Sequence, residues 1–573
     1  MPTLNWIGKE AVEKHHKEVP YRLLEPVAGL SCNEDEQGGN LLVQGDNLHA
    51  LKALLPRYAG KVDCIYIDPP YNTGNEGWIY NDNVNSPEIR KWLGEIVGKE
   101  GETLDRHDRW LCMMYPRLSM LKSFLKEEGV ILISIDDNEV ANLRLIMDEI
   151  WGVNNFICQL VWEKGRKNDA KYVSVGHEYI LIYARNKNKL KEKNIKWREK
   201  KPGADEILIE LNRLRTLYKN DYASIEKDLS KFYKNLAKDH PSKKHSRYSK
   251  VDNKGIWRDD NMSWPKPDGP KYNVIHPVTG LPCAIPPNGW RYSTLEKMQE
   301  QIGLGKVVFR ADHSEPPIRK TYLIQTGEDE FDDESAVQVA GSYFYRSALQ
   351  AKNELRDIFK TEIFDYPKDS DVLARWIDYV TPKDGLVLDS FAGSGTTAHA
   401  VLKLNANFGS NRKFILVEMD KNIATKVTFE RIKRVTKGYI NRNGEDIEGL
   451  GSSFQFCKLS QEPLFNASGH IRNDVSFSQL AEFVWFCETG TGYTGKADSP
   501  LLGIYEGRAI YLLYNGILKD LTEQGGNILT KQVFDVLPKF EGVKVIYAAA
   551  NRLGGKAKRE NIVFKQTPYA LEV

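Results

Sequence analysis

Leu386-Val-Leu-Asp389-Ser-Phe391-Ala-Gly393-Ser-Gly395-Thr-Thr397 reads as a short apolar strand running into a glycine-rich turn and then a helix. A turn of this kind lets a ligand approach bare backbone at the amino end of a helix. A second strand, Lys413-Phe-Ile-Leu-Val417, ends in Glu418, about 20 residues after the turn, where a carboxylate can accept both hydroxyls of a ribose. The turn matches neither GxGxxG nor GxxxxGK, so a ribose-bearing cofactor without a pyrophosphate suits it better than NAD or ATP. A tight turn that merely needs glycines explains the loop by itself; Glu418 adds what that explanation lacks.

The same alternation runs through the first 150 residues. Asn40-Leu-Leu-Val-Gln-Gly45-Asp46 predicts a strand ending in an acid, and Asn47–Pro56 a helix with Leu48, Leu51, Leu54 and Leu55 on one face. Val62-Asp-Cys-Ile-Tyr-Ile67 predicts a strand that stops at Asp68-Pro69-Pro70-Tyr71, where two prolines forbid both ladder and helix. An Asn-rich loop over 72–85, a helix over 109–127, the strand Val130–Ile135 and a helix over 139–150 follow. Alternating strands and helices imply a doubly wound α/β sheet, mostly parallel. Phe156–Trp162 and His177–Tyr183 suit an antiparallel hairpin that ends the open sheet. The sheet is completed by residues far away in the chain, with a helix over 372–380, the strand Leu386–Leu388, a helix over 396–404 and the strand Lys413–Val417. The expected domains are therefore 1–185 and 361–450 as two parts of one catalytic domain, 186–360 as an insert, and 451–573 as a smaller α/β domain. In the insert, helical tracts fall at 207–218 and 225–236, and the last domain carries strands at 509–514 and 543–549 with a helix over 530–537.

Eighty Lys and Arg against 78 Asp and Glu make the chain nearly neutral, at +2 over 573 residues. Residues 185–250, however, hold 20 basic against 9 acidic side chains, a net of +11, so contact with a polyanion is expected in the middle of the chain. The seven cysteines are scattered singly with no CxxC pair, which excludes a zinc finger or a disulfide scaffold, and no metal is expected. No apolar run approaches the roughly 18 residues of a membrane span, so a cytoplasmic protein is expected, without a membrane partner.

Asp68-Pro69-Pro70-Tyr71 is the most specific chemical signal. At the carboxyl end of a strand it clusters a carboxylate, carbonyls whose neighbouring prolines donate nothing, and an aromatic face, each suited to a planar amine such as a nucleobase. A Pro-Pro turn with Asp68 as an ordinary cap is the plainer alternative.

With Asp68–Tyr71 followed hundreds of residues later by Phe391–Gly395, the chain resembles the permuted beta class of DNA adenine amino-methyltransferases, and more closely the modification (Mod) subunits of type III restriction-modification systems. The similarity includes Asn5–Val12, Gly45–Leu48, His177–Ile180, Gly289–Arg291, Ala398–Val401 and Lys413–Leu416, and covers residues 1–435. The resemblance implies an S-adenosylmethionine-dependent, Rossmann-like fold, permuted, with an inserted target-recognition domain. It makes Asp68, Pro69, Pro70 and Tyr71 the catalytic motif around a flipped base. Asp389, Phe391, Ala392, Gly393, Gly395 and Thr396 become the cofactor loop, Glu418 the ribose acid and Asp46 a contact to the cofactor's adenine. Asp rather than Ser before Pro-Pro-Tyr favours N6 of adenine over N4 of cytosine. Double-stranded DNA is the implied substrate, a restriction (Res) subunit an implied partner and a homodimer the implied assembly. Two alternatives stand beside this: a DNA-recognition subunit that mainly guides a restriction subunit, and an RNA methyltransferase. Trp257–Tyr292, with aromatics between prolines and basic residues, is the candidate base-reading loop of the insert, with packing of the insert against the catalytic sheet as the plainer alternative.

Overall fold

The computed structural model describes residues 3–32, 39–73, 106–165, 171–219, 221–325, 337–515, 517 and 527–567. From residue 74 onward the predicted Asn-rich loop lies outside them. The chain divides into two compact units, one made of 1–195 with 341–573 and the other of 196–340.

The first unit is built on a ten-stranded sheet. In chain order its strands are β1 (Arg22–Pro26), β2 (Leu41–Gln44), β3 (Val62–Ile67), β4 (Leu125–Ile135), β5 (Phe156–Glu163), β6 (His177–Ala184), β7 (Tyr343–Tyr345), β8 (Leu386–Asp389), β9 (Lys413–Glu418) and β10 (Gln455–Pro463). Their spatial order is β1-β10-β2-β9-β8-β3-β4-β6-β5-β7. Strands β10, β2, β9, β8, β3 and β4 run parallel, and β6 turns antiparallel against β4. Successive residues of the central strands are buried alternately to opposite faces, as in a sheet covered on both sides. Ile65, Ile67, Ile131, Ile133, Ile415 and Val417 join one core with Leu48, Leu51 and Leu54 of the helix Asn47–Tyr58 and Trp110 and Met114 of the helix Arg106–Lys122. Cys64, Tyr66, Leu132, Phe414 and Leu416 are also buried, pointing the other way. Each such Leu or Ile contributes about 1.5–3 kcal/mol of burial.

Four boundaries differ from the sequence reading. The helix Arg106–Lys122 ends before Glu127 because β4 begins at Leu125, paired with Val62, and Lys126 joins Asp63 at 2.8 Å; its charged start disguises a strand. The sheet does not end with the β5–β6 hairpin, since β7 adds in parallel to β5. The compact insert spans 196–340 rather than 186–360, with β7 and the helix Ala348–Phe359 belonging to the first unit. Residues 451–573 form no separate unit: β10 lies inside the large sheet, and Ile510, Leu512, Val545 and Tyr547 of a four-stranded sheet share the core that covers it.

The second unit packs the helices Ala204–Tyr218 and Tyr222–Asn235 through Ile207, Leu211, Ile225 and Leu229 onto Ile256 and Leu323 of a four-stranded antiparallel sheet. Trp290, fully buried, stacks on Tyr272 at 5.9 Å and donates its indole N–H to the Tyr272 carbonyl at 2.7 Å. This aromatic of the candidate base-reading loop therefore packs the unit's own core.

Candidate active site

Parallel pairing aligns the carboxyl ends of four strands. Cys64 and Ile65 of β3 face Val387 and Leu388 of β8, Asp389 faces Leu416 of β9, and Glu418 faces Gln44 of β2. Asp68, Asp389, Glu418 and Asp46 consequently emerge along one edge of the sheet. After β3 the chain crosses to β4 on one side, and after β8 it crosses to β9 on the other, so the switch in winding falls between β3 and β8. Crevices at such points are where open α/β sheets bind ligands.

A cleft opens there, lined by Asp68, Lys368, Asp389, Phe391, Gly393 and Thr396 among others. It brings the Asp68 motif and the glycine turn together across more than 300 residues of sequence. The turn is braced by acids. Asp389 accepts the Phe391 N–H at 2.9 Å and the Thr397 hydroxyl at 2.5 Å, and burial pushes its carboxyl up to about 7. Glu418, also buried, accepts the Gly393 N–H at 2.9 Å and the Asp420 N–H at 2.8 Å; burial pushes it up to about 8. The Ala392 and Gly395 amides are satisfied by the carbonyls of Val417 and Ala392. Gly393 and Gly395 have φ of +50° and +78°, backbone that side chains rarely adopt, and Gly395 opens the helix Thr396–Phe408. Arg431, fully buried, clamps the turn from behind through Ser394 Oγ at 3.0 Å and Thr396 Oγ1 at 2.8 Å.

Asp46 caps the helix Asn47–Tyr58, its Oδ1 accepting the Leu48 and His49 N–H groups at 3.0 Å each, and meets Arg117 at 3.3 Å. At the other end of the site, Trp110 donates its indole N–H to the Pro70 carbonyl at 2.6 Å and pins the proline pair. Tyr71 is half-buried, and its hydroxyl donates to Glu178 Oε2 at 3.1 Å.

Three polar residues here escaped the sequence reading as site residues: Lys368, Glu178 and Lys164. Lys368 Nζ lies 2.8 Å from Asp68 Oδ1, 3.7 Å from Glu178 Oε2 and 4.7 Å from the centroid of the Tyr71 ring. Lys164 Nζ reaches Glu178 at 2.5 Å. Burial works against the charge of Lys368, but the Asp68 and Glu178 carboxylates outweigh it and hold the ammonium above the usual lysine range. Burial pushes the Asp68 carboxyl up against the pull of Lys368. Glu178 had a readable signal, because an acid at the head of the apolar run Tyr179–Ala184, in the same strand, is buried only with partners. Lys368, in the irregular stretch before the helix Ser370–Val380, had none.

A family model described as DNA methylase matches residues 62–429, from the first residue of β3 past the end of β9. The chain is 32% identical over 458 residues to the Mod subunit of the type III restriction-modification enzyme EcoP15I of Escherichia coli, covering 76% of this chain and 68% of that protein. It is 32% identical over 529 residues to the StyLTI Mod subunit of Salmonella typhimurium, covering 86% and 71%. With the type II methyltransferase M.KpnI of Klebsiella pneumoniae it shares 30% identity over 430 residues, covering 69% and 86%. The span matched by the family model contains the Asp68–Tyr71 motif, whose Asp68 lines the cleft, and the Asp389–Thr396 turn, and on these grounds the chain belongs to the DNA methylase family and is similar over most of its length to type III modification subunits.

Proposed function

We propose that this chain methylates N6 of an adenine flipped out of duplex DNA, with S-adenosylmethionine as donor, as the modification subunit of a type III restriction-modification system. The observation that carries this is the meeting of Asp68 with the Phe391–Thr396 turn in one cleft at the switch point of the sheet, with Tyr71 beside it across Lys368. The donor fits the groups present. The amides of Phe391, Ala392, Gly393 and Gly395 are already bonded to Asp389, Val417, Glu418 and Ala392, so a phosphate finds few free donors there and a ribose-bearing donor without one fits better. Phe391, Gly393, Thr396 and Asp389 would hold it, with Glu418 and Asp46 at its ribose and adenine ends. When bound it supplies an activated methyl group.

The rest is work for the chain's own residues. A base inside a duplex is out of reach, so it is extruded at a cost of a few kcal/mol. Tyr71 offers the stacking face, and the Asp68 carboxylate with the Pro69 carbonyl accepts the amine hydrogens, favouring a nitrogen whose lone pair is free and stabilising the positive charge that develops on it. Fixed orientation supplies much of the rate. Incubation with labelled donor and separate DNA and RNA substrates tests this, with N6-methyladenine at one short DNA sequence as the expected product; label in RNA alone would replace it with the RNA reading. A Res partner and a homodimer belong to the same proposal and are tested by co-purification and by mass in solution.

Tyr71→Phe keeps the face and loses only the bond to Glu178, which retains Lys164, so turnover is expected within a few-fold of the parent. Tyr71→Ala is expected to cost about 1–3 kcal/mol of base stacking. Equal damage from both, in steady-state kinetics on one duplex, would transfer the role to the hydroxyl.

Reversing Lys191, Lys193, Lys196 and Arg198 to Glu is expected to weaken DNA binding on every sequence and leave donor affinity unchanged. Each lost phosphate contact flattens the slope of log affinity against log salt by about 0.9. Glu128, at 2.6 Å, offsets part of the charge of Lys193. A salt titration that returns the parent slope would make this segment a solvated surface.

A further inference from the structure

We propose that Lys368 is the positioning residue of the Asp68 carboxylate, pinning it as the acceptor for the target amine while Glu178 anchors the lysine from the other side. The inference rests on the reading of Asp68 as that acceptor. The groups facing Asp68 are Tyr66, at the end of its own strand, Tyr71, Asp389 of β8, Glu178 of β6, Lys164 beyond Glu178, and Lys368. Glu178 and Asp389 repel its charge, and Lys164 is committed to Glu178 at 2.5 Å. Among the described residues Lys368 is the cation in contact with Asp68, at 2.8 Å.

The lysine is itself held from several directions. Its side chain is 7% exposed, its ammonium lies over the Tyr71 ring, and its carbonyl accepts the Thr396 hydroxyl of the glycine turn at 3.4 Å. The next residue, Asp369, caps the helix Ser370–Val380 and pairs with Arg346 at 2.8 Å. Such a lysine joins the two halves of the cleft. A carboxyl taken from water and left without a cation takes up a proton, and a protonated carboxyl accepts an amine hydrogen poorly. Asp68 therefore works above its pKa and fails as pH falls through it; removing the lysine raises that pKa and carries the failure to higher pH.

The test is the single-turnover rate of methylation between pH 5.5 and 9 for Lys368→Met, Lys368→Gln and Lys368→Arg, with donor affinity and thermal unfolding measured alongside. The Met and Gln variants are expected to lose up to about tenfold on the acid side and to recover most of it toward pH 9, with the acid limb about one unit higher. Arg is expected to keep the parent limb. Gln keeps a donor against Asp68 without the charge and serves if Met fails to fold. A loss equal at every pH would assign Lys368 a purely structural role, and a faster rate would make its ammonium a plug that the base displaces; either overturns the proposal. Asp68→Ala in the same assay separates the two levels: if it stays active the reading of Asp68 falls, whereas if it is dead while Lys368→Met keeps the parent profile, only the role of the lysine falls.

Discussion

Asp68→Ala is expected to reduce methyl transfer by at least about 10²–10³-fold, the loss found when one preorganised group that meets developing charge is removed. Donor affinity is expected to stay within about twofold, because the turn at Asp389–Thr396 is braced by Asp389, Glu418 and Arg431 and not by Asp68. Asp68→Asn sharpens the result. It keeps the shape and one carbonyl acceptor while replacing the other oxygen by an amide donor and removing the charge that Lys368 contacts, so its loss reads the charge together with the second acceptor. Tritiated methyl transfer to a cognate duplex, with calorimetric binding of the donor, checks both. Activity within about tenfold of the parent, roughly 1.4 kcal/mol of barrier, would remove Asp68 from the chemistry.

Gly393→Val is expected to weaken S-adenosylmethionine binding by about 100-fold, near 2.7 kcal/mol. Its φ of +50° strains a β-branched residue, and the distortion falls on a turn that lines the cleft. Glu418→Ala acts on the same turn from behind. It leaves the Gly393 and Asp420 amides without their acceptor, a cost of about 1–3 kcal/mol divided between fold stability and donor affinity. Burial pushes the pKa of Glu418 up to about 8, while the Asp420 and Gly393 amides that donate to it pull the other way and favour the carboxylate. Calorimetry reads both variants directly, and unchanged affinity in both would place the donor elsewhere.

The two results differ in what they separate. Asp68 and Gly393 lie in one cleft, yet the first is assigned to the amine and the second to the donor. Loss of turnover without loss of donor binding, and loss of donor binding itself, are the two expected signatures.

The strands of the cleft were legible from their residues. Val62–Ile67 and Lys413–Glu418 are nearly continuous apolar runs, which a strand buried on both faces requires, and Asp68-Pro69-Pro70 can only end such a strand. The wide separation of Asp68 from Gly393 was readable as two pieces of one sheet because each piece carried its own strand, turn and helix. The extent of that sheet was less readable. Tyr343–Tyr345 is too short to announce β7, and Lys126–Glu128 hides the start of β4 because a strand extending past the apolar core carries charges that look like a helix end. Trp290 falls on the packing side of the two readings open for its loop, since an aromatic between polar neighbours suits a ligand surface or a core alike and only its burial tells them apart.

The amino-acid sequence by itself therefore determined the α/β class, the Asp68–Tyr71 and Asp389–Thr396 motifs and the acid at Glu418, because each depends on local periodicity, on proline and glycine geometry and on residues adjacent in the chain. Only the tertiary structure decided that Lys368 reaches Asp68, that Glu178 and Lys164 stand behind it, that Arg431 clamps the turn, and that residues 455–463 complete the sheet rather than found a separate unit. The physical reason is the range of the interactions. A turn or a strand is specified by its neighbours in sequence, whereas a buried ion pair is specified by which side chains three-dimensional packing removes from water together, and no spacing along the chain encodes that.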